Sequence, residues 1–342
     1  MRDIAAMPAK VEAFLSEATG RRAEVTNYEL MTGGYSRVMA RVDLRWEDGA
    51  EETFVLRGDP PPEEALLHTD RDHEWAVLRG LTEIDQIPMP AARYYDATGT
   101  HFGTKAIFLD HVTAPSLQGR FDTGLDPAAN VIGLADAAAS IARIGPDQLP
   151  VEIERPTDWD SYLDGVIDLW ADIDRAYPGA LPIYRYVAAW LKANKPPEMP
   201  LRLSHGDFQC ANILAADDGW QIIDWEYAHI GDPREDLGWH NGYHAAAPPN
   251  CYALDPEGFL ARYRQQTGFT EEQVNQLTVG YFTIVATVKV IAGIATALGG
   301  FAAGQAQGAT ISFNYLSLTF SHFNFLNAIA GIEAAIAQLE GA

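Results

Sequence analysis

Only two cysteines, Cys210 and Cys251, occur in 342 residues. They exclude a disulfide scaffold and a cysteine-rich zinc centre, and Cys210 reads as buried filler rather than a nucleophile. Basic residues are scarce as well. Lys and Arg number 24 against 47 Asp and Glu, giving a net charge of -23. No run of Lys or Arg supplies the stripe that tracks phosphates along a nucleic acid, so nucleic-acid binding is not expected. The acidic surface either attracts a cationic substrate or simply keeps the chain dispersed. Long apolar runs are rare: Tyr281 to Gly304 approaches the length of a membrane span, but Lys289 interrupts it and Gly299-Gly300 favours a helix end. It reads as a buried helix, and no membrane span is expected. The start, MRDIAAMPAKVEAFL, has no long apolar core behind a basic head, so no signal peptide and a cytoplasmic location are expected.

The chain is long enough to bury a large core and to divide in two. Residues 4–17 repeat apolar side chains as one helix face does. From Val25 the texture becomes strand-like: VMARVDLRW alternates, Glu47-Asp48-Gly49 turns, and ETFVLRG resumes. Pro60-Pro61-Pro62 ends this sheet before a helix over about 63–82, and strand-like pieces follow at 91–95 and 104–110. Beyond Asp126 the pattern is helical over 127–143, 157–175 and 181–193. A strand pair interrupts it near residue 205, and helices return from about 235. The expectation is an α+β chain with a small antiparallel-sheet N-terminal lobe over 1–110 and a larger, mainly helical C-terminal lobe over 111–342.

The residues with chemistry cluster past the middle, in SHGDFQCANIL and, after a short turn, IIDWEYAHIGDPREDL. His205, Asp207 and Asn212 occupy one loop between apolar segments, and Asp224 closes the apolar pair Ile222-Ile223. A carboxylate with an ordinary pKa of about 4 is ionised at neutral pH and can accept a hydroxyl proton, which suits Asp207. Asn212 offers an amide oxygen and Asp224 a carboxylate to a hard cation such as Mg²⁺. Individually, such residues also cap turns for purely local reasons. Together, two carboxylates and an amide around two short strands can hold a metal and orient a hydroxyl for phosphoryl transfer.

This stretch resembles the signature of the aminoglycoside phosphotransferase and choline kinase superfamily, whose fold is shared with protein kinases. His205, Gly206, Asp207 and Asn212 match its catalytic loop. Asp224-Trp225-Glu226 matches its metal segment, and Gly231-Asp232-Pro233 and Asp236-Leu237 match the continuation of that segment. The resemblance implies a protein-kinase-like two-lobe fold and an ATP- and Mg²⁺-dependent transfer to a small-molecule hydroxyl, with GTP left open. It implies that Asp207 is the base, that Asn212 and Asp224 bind Mg²⁺, and that His205 and Asp236 support the loop. Thr32 to Arg37, with Gly33, Gly34 and Ser36, resembles the phosphate-covering loop, where glycines let backbone N–H groups approach. Arg57 stands where protein kinases carry a strand lysine, with Glu74 as its helix partner. Phe108, Leu109 and Asp110 fall in the segment expected to meet the adenine, by backbone hydrogen bonds and apolar side chains.

Two positions depart from the pattern. Arginine replaces lysine in charge but not in geometry. Gln209, two residues after the base, can hydrogen-bond a phosphoryl oxygen but cannot neutralise it. The acceptor, a cationic or aromatic alcohol, is not fixed by the sequence. Trp159, Tyr162, Trp170, Tyr177, Tyr184, Trp190, Trp239 and Tyr243 either line its pocket or fill the core. Trp225 is the first candidate to touch it, Gln209 another, and Glu226 lies between a rim role and a structural one. Asp158, Asp160, Asp164, Asp168, Asp172 and Asp174 either attract a polyamine or form a solvated helix face. Arg57 and Gln209 also leave open a nucleotide-binding regulatory protein without useful transfer. A metal-dependent phosphate-ester hydrolase is the other alternative.

Overall fold

The computed structural model describes residues 5–31, 38–59, 70–176, 182–216, 219–288, 327–334 and 337–338. Gly33, Gly34 and Ser36 lie outside the described residues, as do Tyr177, residues 289–326 and the side chains of Trp170, Asp172, Asp174 and Tyr184. The described chain separates into two compact units, Met1–Pro115 with Leu214–Tyr227, and Ser116–Ile213 with Ala228–Ala342. The first unit thus extends beyond residue 110 and takes in a later segment that sequence order alone assigns to the second.

In the first unit, α1 (Met7–Thr19) ends on Gly20, whose left-handed φ of 69° lets its N–H reach back to the Ser16 carbonyl. Strands β1 (Ala23–Leu30), β2 (Val38–Trp46), β3 (Glu51–Gly58), β4 (Ala92–Asp96) and β5 (Ala106–Asp110) form an antiparallel sheet in the order β1-β2-β3-β5-β4. Strand alternation sorts their side chains. Phe54, Leu56 and Phe108 share a face with Phe14 of α1, and the Phe14 and Phe108 rings stack at 5.4 Å. Val55, Arg57, Ile107 and Leu109 share the opposite face. Helix α2 (Arg71–Ile84) starts where the Asp70 carboxylate accepts the Asp72 and His73 N–H groups.

The second unit is mostly helical: α3 (Leu117–Asp122), α4 (Val131–Ala142), α5 (Trp159–Ala176), α6 (Pro182–Ala193), α7 (Glu235–Ala246), α8 (Cys251–Leu254) and α9 (Pro256–Thr267). Its core joins Leu163 and Ile167 of α5 to Val187 and Leu191 of α6 and to Phe282 and Val285 of the helical stretch 276–288. Strand β6 (Arg202–Ser204) pairs antiparallel with β9 (His229–Gly231), while β7 (Ile213–Ala216) pairs with β8 (Gly219–Ile222). The expected strand pair near the motif is therefore two pairs. No helix among the described residues is long and apolar enough to cross a membrane.

Candidate active site

Arg57 organises the chemistry of the first unit. Its position on β3 places a guanidinium on the sheet face away from α1, with 7% of the side chain exposed. It meets three carboxylates: Glu74 of α2 at 3.2 Å, Asp224 at 2.5 Å and Glu226 at 2.8 Å. Arg71 adds a second cation, paired with Glu74 and, at 2.5 Å, with Asp59. Burial alone disfavours the charged guanidinium of Arg57, but Asp224 and Glu226 outweigh it and hold its pKa above the ordinary arginine value. Asp224 itself has a φ of 71°. A left-handed backbone costs a non-glycine residue about 1–3 kcal/mol, and such residues concentrate at functional sites.

The second unit carries the His205–Asn212 loop. Asp236 in the first turn of α7 accepts three of its groups: the Ser204 hydroxyl at 3.0 Å, the His205 N–H at 2.8 Å and the Gly206 N–H at 3.0 Å. Gly206, at φ 80°, supplies the left-handed turn. The buried His205 ring accepts the Asp207 N–H on Nδ1 at 3.2 Å. These contacts fix the backbone on both sides of Asp207. Asp236→Asn turns one acceptor into a donor facing backbone N–H groups, and each buried donor left unmet costs about 1–3 kcal/mol. A lowered midpoint of denaturation is the expected result, read by circular dichroism.

The Asp207 carboxylate is held by three side chains. Trp239 Nε1 donates to Oδ1 at 2.8 Å, Gln209 Nε2 to both oxygens at 3.0 Å, and Asn212 Nδ2 to Oδ2 at 2.8 Å. Asn212 Nδ2 also reaches the Asp207 carbonyl at 3.0 Å, which leaves the Asn212 amide oxygen for a cation. Trp239 was expected among the aromatics that line a pocket or fill the core, but its bond to Asp207 was not. Its register is set by its neighbour: a Cβ on Gly238 would collide with the Phe282 backbone, so only glycine permits this helix approach. The signal was local, since Asp236 and Trp239 stand i, i+3 on one helix and share a face. Trp239→Phe keeps the ring and deletes the N–H. A hydrogen bond to a charged group is worth about 1.5–3 kcal/mol, so turnover should fall roughly 10–100-fold. Initial rates of the variant beside the parent chain read this directly.

Several expected roles are corrected by the structure. Trp225 is 1% exposed and its indole N–H donates to the Ile222 carbonyl at 3.2 Å, so it fills the first unit rather than touching substrate. Glu226 is a buried partner of Arg57, not a rim residue. Gln209 directs its amide N–H groups at Asp207. The Phe108 ring is wholly buried against α1, so it cannot sandwich an adenine; Ile107 and Leu109 occupy the other face. The Asp110 carboxylate is engaged by Arg93 at 2.6 and 2.7 Å.

The acidic series also finds local uses. Asp158 caps the start of α5, accepting the Ser161 N–H. Lys195 pairs with Asp160 and Asp164, and Lys192 with Asp168. The Trp159 indole donates to the buried Asp232, and the Tyr162 hydroxyl bonds Glu235, so both are structural. Trp190 packs against the core beside Tyr281. Tyr243 is the aromatic that differs: it is exposed and stacks on Trp239, with ring centroids 6.1 Å apart.

Comparison with known proteins places this geometry. The model of the phosphotransferase enzyme family matches residues 29–276. A protein of Arabidopsis thaliana named as a probable acyl-CoA dehydrogenase is 27% identical over 204 residues, covering 54% of this chain and 24% of that protein. The chain thus spans about a quarter of the length of that curated relative. A Ralstonia eutropha protein assigned as an aminoglycoside phosphotransferase has a TM-score of 0.70 at 16% identity, covering 94% of this chain and 98% of that one. A thermostable mutant of an aminoglycoside phosphotransferase, in a ternary complex with AMP-PNP and hygromycin B, has a TM-score of 0.59 at 15% identity, covering 92% and 98%. At these identities the solved structures speak for the fold: a kinase-like fold of small-molecule phosphotransferases.

Proposed function

The chain belongs to the phosphotransferase enzyme family, and on that premise we propose that it moves the γ-phosphoryl group of a nucleoside triphosphate, ATP in the first instance, to a hydroxyl of a small molecule in the cytoplasm. The carrying observation is the Asp207 carboxylate, oriented by the N–H groups of Trp239, Gln209 and Asn212. A carboxylate so oriented can take the acceptor's hydroxyl proton as the acceptor oxygen bonds to phosphorus and the bond to the leaving diphosphate breaks. No covalent enzyme intermediate is needed.

Asn212, through its amide oxygen, and Asp224, through its carboxylate, are the proposed ligands for Mg²⁺, and both are the hard oxygen donors that this cation takes. When bound, Mg²⁺ spreads the negative charge of the polyphosphate. The Arg57 guanidinium adds positive charge beside Asp224 and holds that ligand in place. The sheet face bearing Val55, Arg57, Ile107 and Leu109 is the proposed nucleotide side of the first unit, together with Gly33, Gly34 and Ser36.

The stacked Trp239–Tyr243 pair, beside the Asp207 carboxylate, favours an acceptor with an apolar or ring-bearing body. The lysine-paired aspartates of α5 weaken the case for a polycation. The test is mass-spectrometric screening of the protein with MgATP and pooled alcohols: aminoglycosides, macrolides, choline and sugars. A product heavier by one phosphoryl group establishes the reading and names the acceptor class. Tight nucleotide binding with no product from these pools or from whole metabolite extract would replace it with a regulatory nucleotide-binding role.

A further inference from the structure

Three residues beyond Asp207, Cys210 opens a single 3-10 turn, Cys210–Asn212, with its side chain fully buried. His240 and His244 stand i, i+4 on α7 and therefore on one helix face. Their rings are 4.4 Å apart between centroids. Each of the three residues offers a donor atom, and all three atoms lie within 4.8 Å of one another. No carboxylate belongs to this group.

Two features distinguish the cluster from ordinary core packing. The first is His240, which is 0% exposed and has neither ring nitrogen hydrogen-bonded among the described residues. The Phe208 carbonyl influences the ring without meeting hydrogen-bond geometry. A neutral imidazole carries one N–H donor and one lone pair, and burying both unmet is unfavourable. The second is the tautomer of His244. Its Nδ1–H donates to the Ala247 carbonyl at 2.6 Å, so Nε2 carries a bare lone pair, which accepts the Cys210 backbone N–H at 3.1 Å. A ring N–H anchored on a backbone carbonyl is how a metal-ligating histidine is commonly oriented. The buried Cys251 thiol, at the start of α8, faces the Cys210 sulfur.

We infer that Cys210, His240 and His244 form a structural site for a borderline divalent transition cation of the Zn²⁺ class, distinct from the proposed Mg²⁺ ligands. Imidazole nitrogen and thiolate sulfur suit Zn²⁺, at about 2.0–2.3 Å, whereas Mg²⁺ and Ca²⁺ require oxygen. On binding, the Cys210 thiol loses its proton to solvent, the bare nitrogen of His240 gains a partner, and His244 Nε2 exchanges the amide N–H for the metal. The site ties the turn that carries Asn212 to the helix that carries Trp239, and so steadies two of the three donors on Asp207. Its burial implies loading as the chain folds, because metal binding and folding are then one equilibrium.

The test is the metal content of the full chain, produced in zinc-supplemented medium, purified without chelator and analysed by inductively coupled plasma mass spectrometry. A second sample is unfolded, stripped and refolded with Co²⁺. Stoichiometric zinc, together with the intense visible bands of tetrahedral Co²⁺ and a sulfur-to-cobalt charge-transfer band, is the expected result. Cys210→Ser should abolish the charge-transfer band, and His240→Gln should lower the zinc retained. Folded wild-type protein free of zinc, with only the spectrum of aqueous Co²⁺, would overturn the site. A charge-transfer band undiminished in Cys210→Ser would overturn its ligand set. The wild-type readouts need no variant to fold, and none depends on phosphoryl transfer.

Discussion

Asp207→Asn is expected to reduce phosphoryl transfer about 10²–10⁴-fold, the usual contribution of a positioned acid–base group. Nucleotide affinity should be retained, because Asp207 is proposed to meet the acceptor hydroxyl and is not one of the proposed Mg²⁺ ligands. The side chain keeps its volume but loses the ability to accept a proton. It also gains an amide N–H₂ where those three residues already present donors. Donor would face donor on one side, so the asparagine must turn and the acceptor oxygen loses its orientation. Initial rates by product mass, with nucleotide titrations by calorimetry, separate the two quantities. Full product formation by the variant would remove Asp207 from the role of base. Trp239→Phe then divides the effect, since it disturbs orientation while leaving the carboxylate in place.

Arg57→Ala is expected to destabilise the protein by about 3–5 kcal/mol, the penalty for leaving buried charge without its partner. Arg57 and Arg71 are the cations among four carboxylates, Asp59, Glu74, Asp224 and Glu226. Removing Arg57 leaves Glu226, with 4% of its side chain exposed, and Asp224 without the guanidinium that binds them. Arg57→Lys should fall between the two. An ammonium is a point charge on a flexible stem and cannot span Glu74, Asp224 and Glu226 as the planar fork does. Equilibrium unfolding in urea measures both variants. Wild-type stability in Arg57→Lys would show that charge alone suffices and that the fork is incidental. The same contact gives this arginine a use of its own: it holds a proposed metal ligand, Asp224.

Local pattern carried much of the site into view. Asp207, Asn212, Asp224 and Asp236 stood out because they fall in one short stretch whose residue types and spacing resemble the family's signature; the catalytic and metal-binding roles remain proposals. The sheet was legible from alternation and turns, with β2 and β3 close to their expected limits. What escaped depended on which way a side chain points. Phe108 and Leu109 are neighbours in sequence, yet pleating sends one ring under α1 and leaves the other side chain on the Arg57 face. Trp225 adjoins Asp224, but adjacency in the chain says nothing about whether an indole turns inward.

The sequence by itself determined the α+β class and the ordered set of acids and amides through periodicity and spacing, which act over short separations, and the family through the resemblance of its motif. Only the tertiary structure decided the partners. It brought Glu226 to Arg57 across 169 positions and Trp239 to Asp207 across 32. It also gathered Cys210 with two histidines of α7 around buried donor atoms. Such contacts arise from strand pairing and helix packing, which fix distances between residues whose separation along the chain carries no distance information.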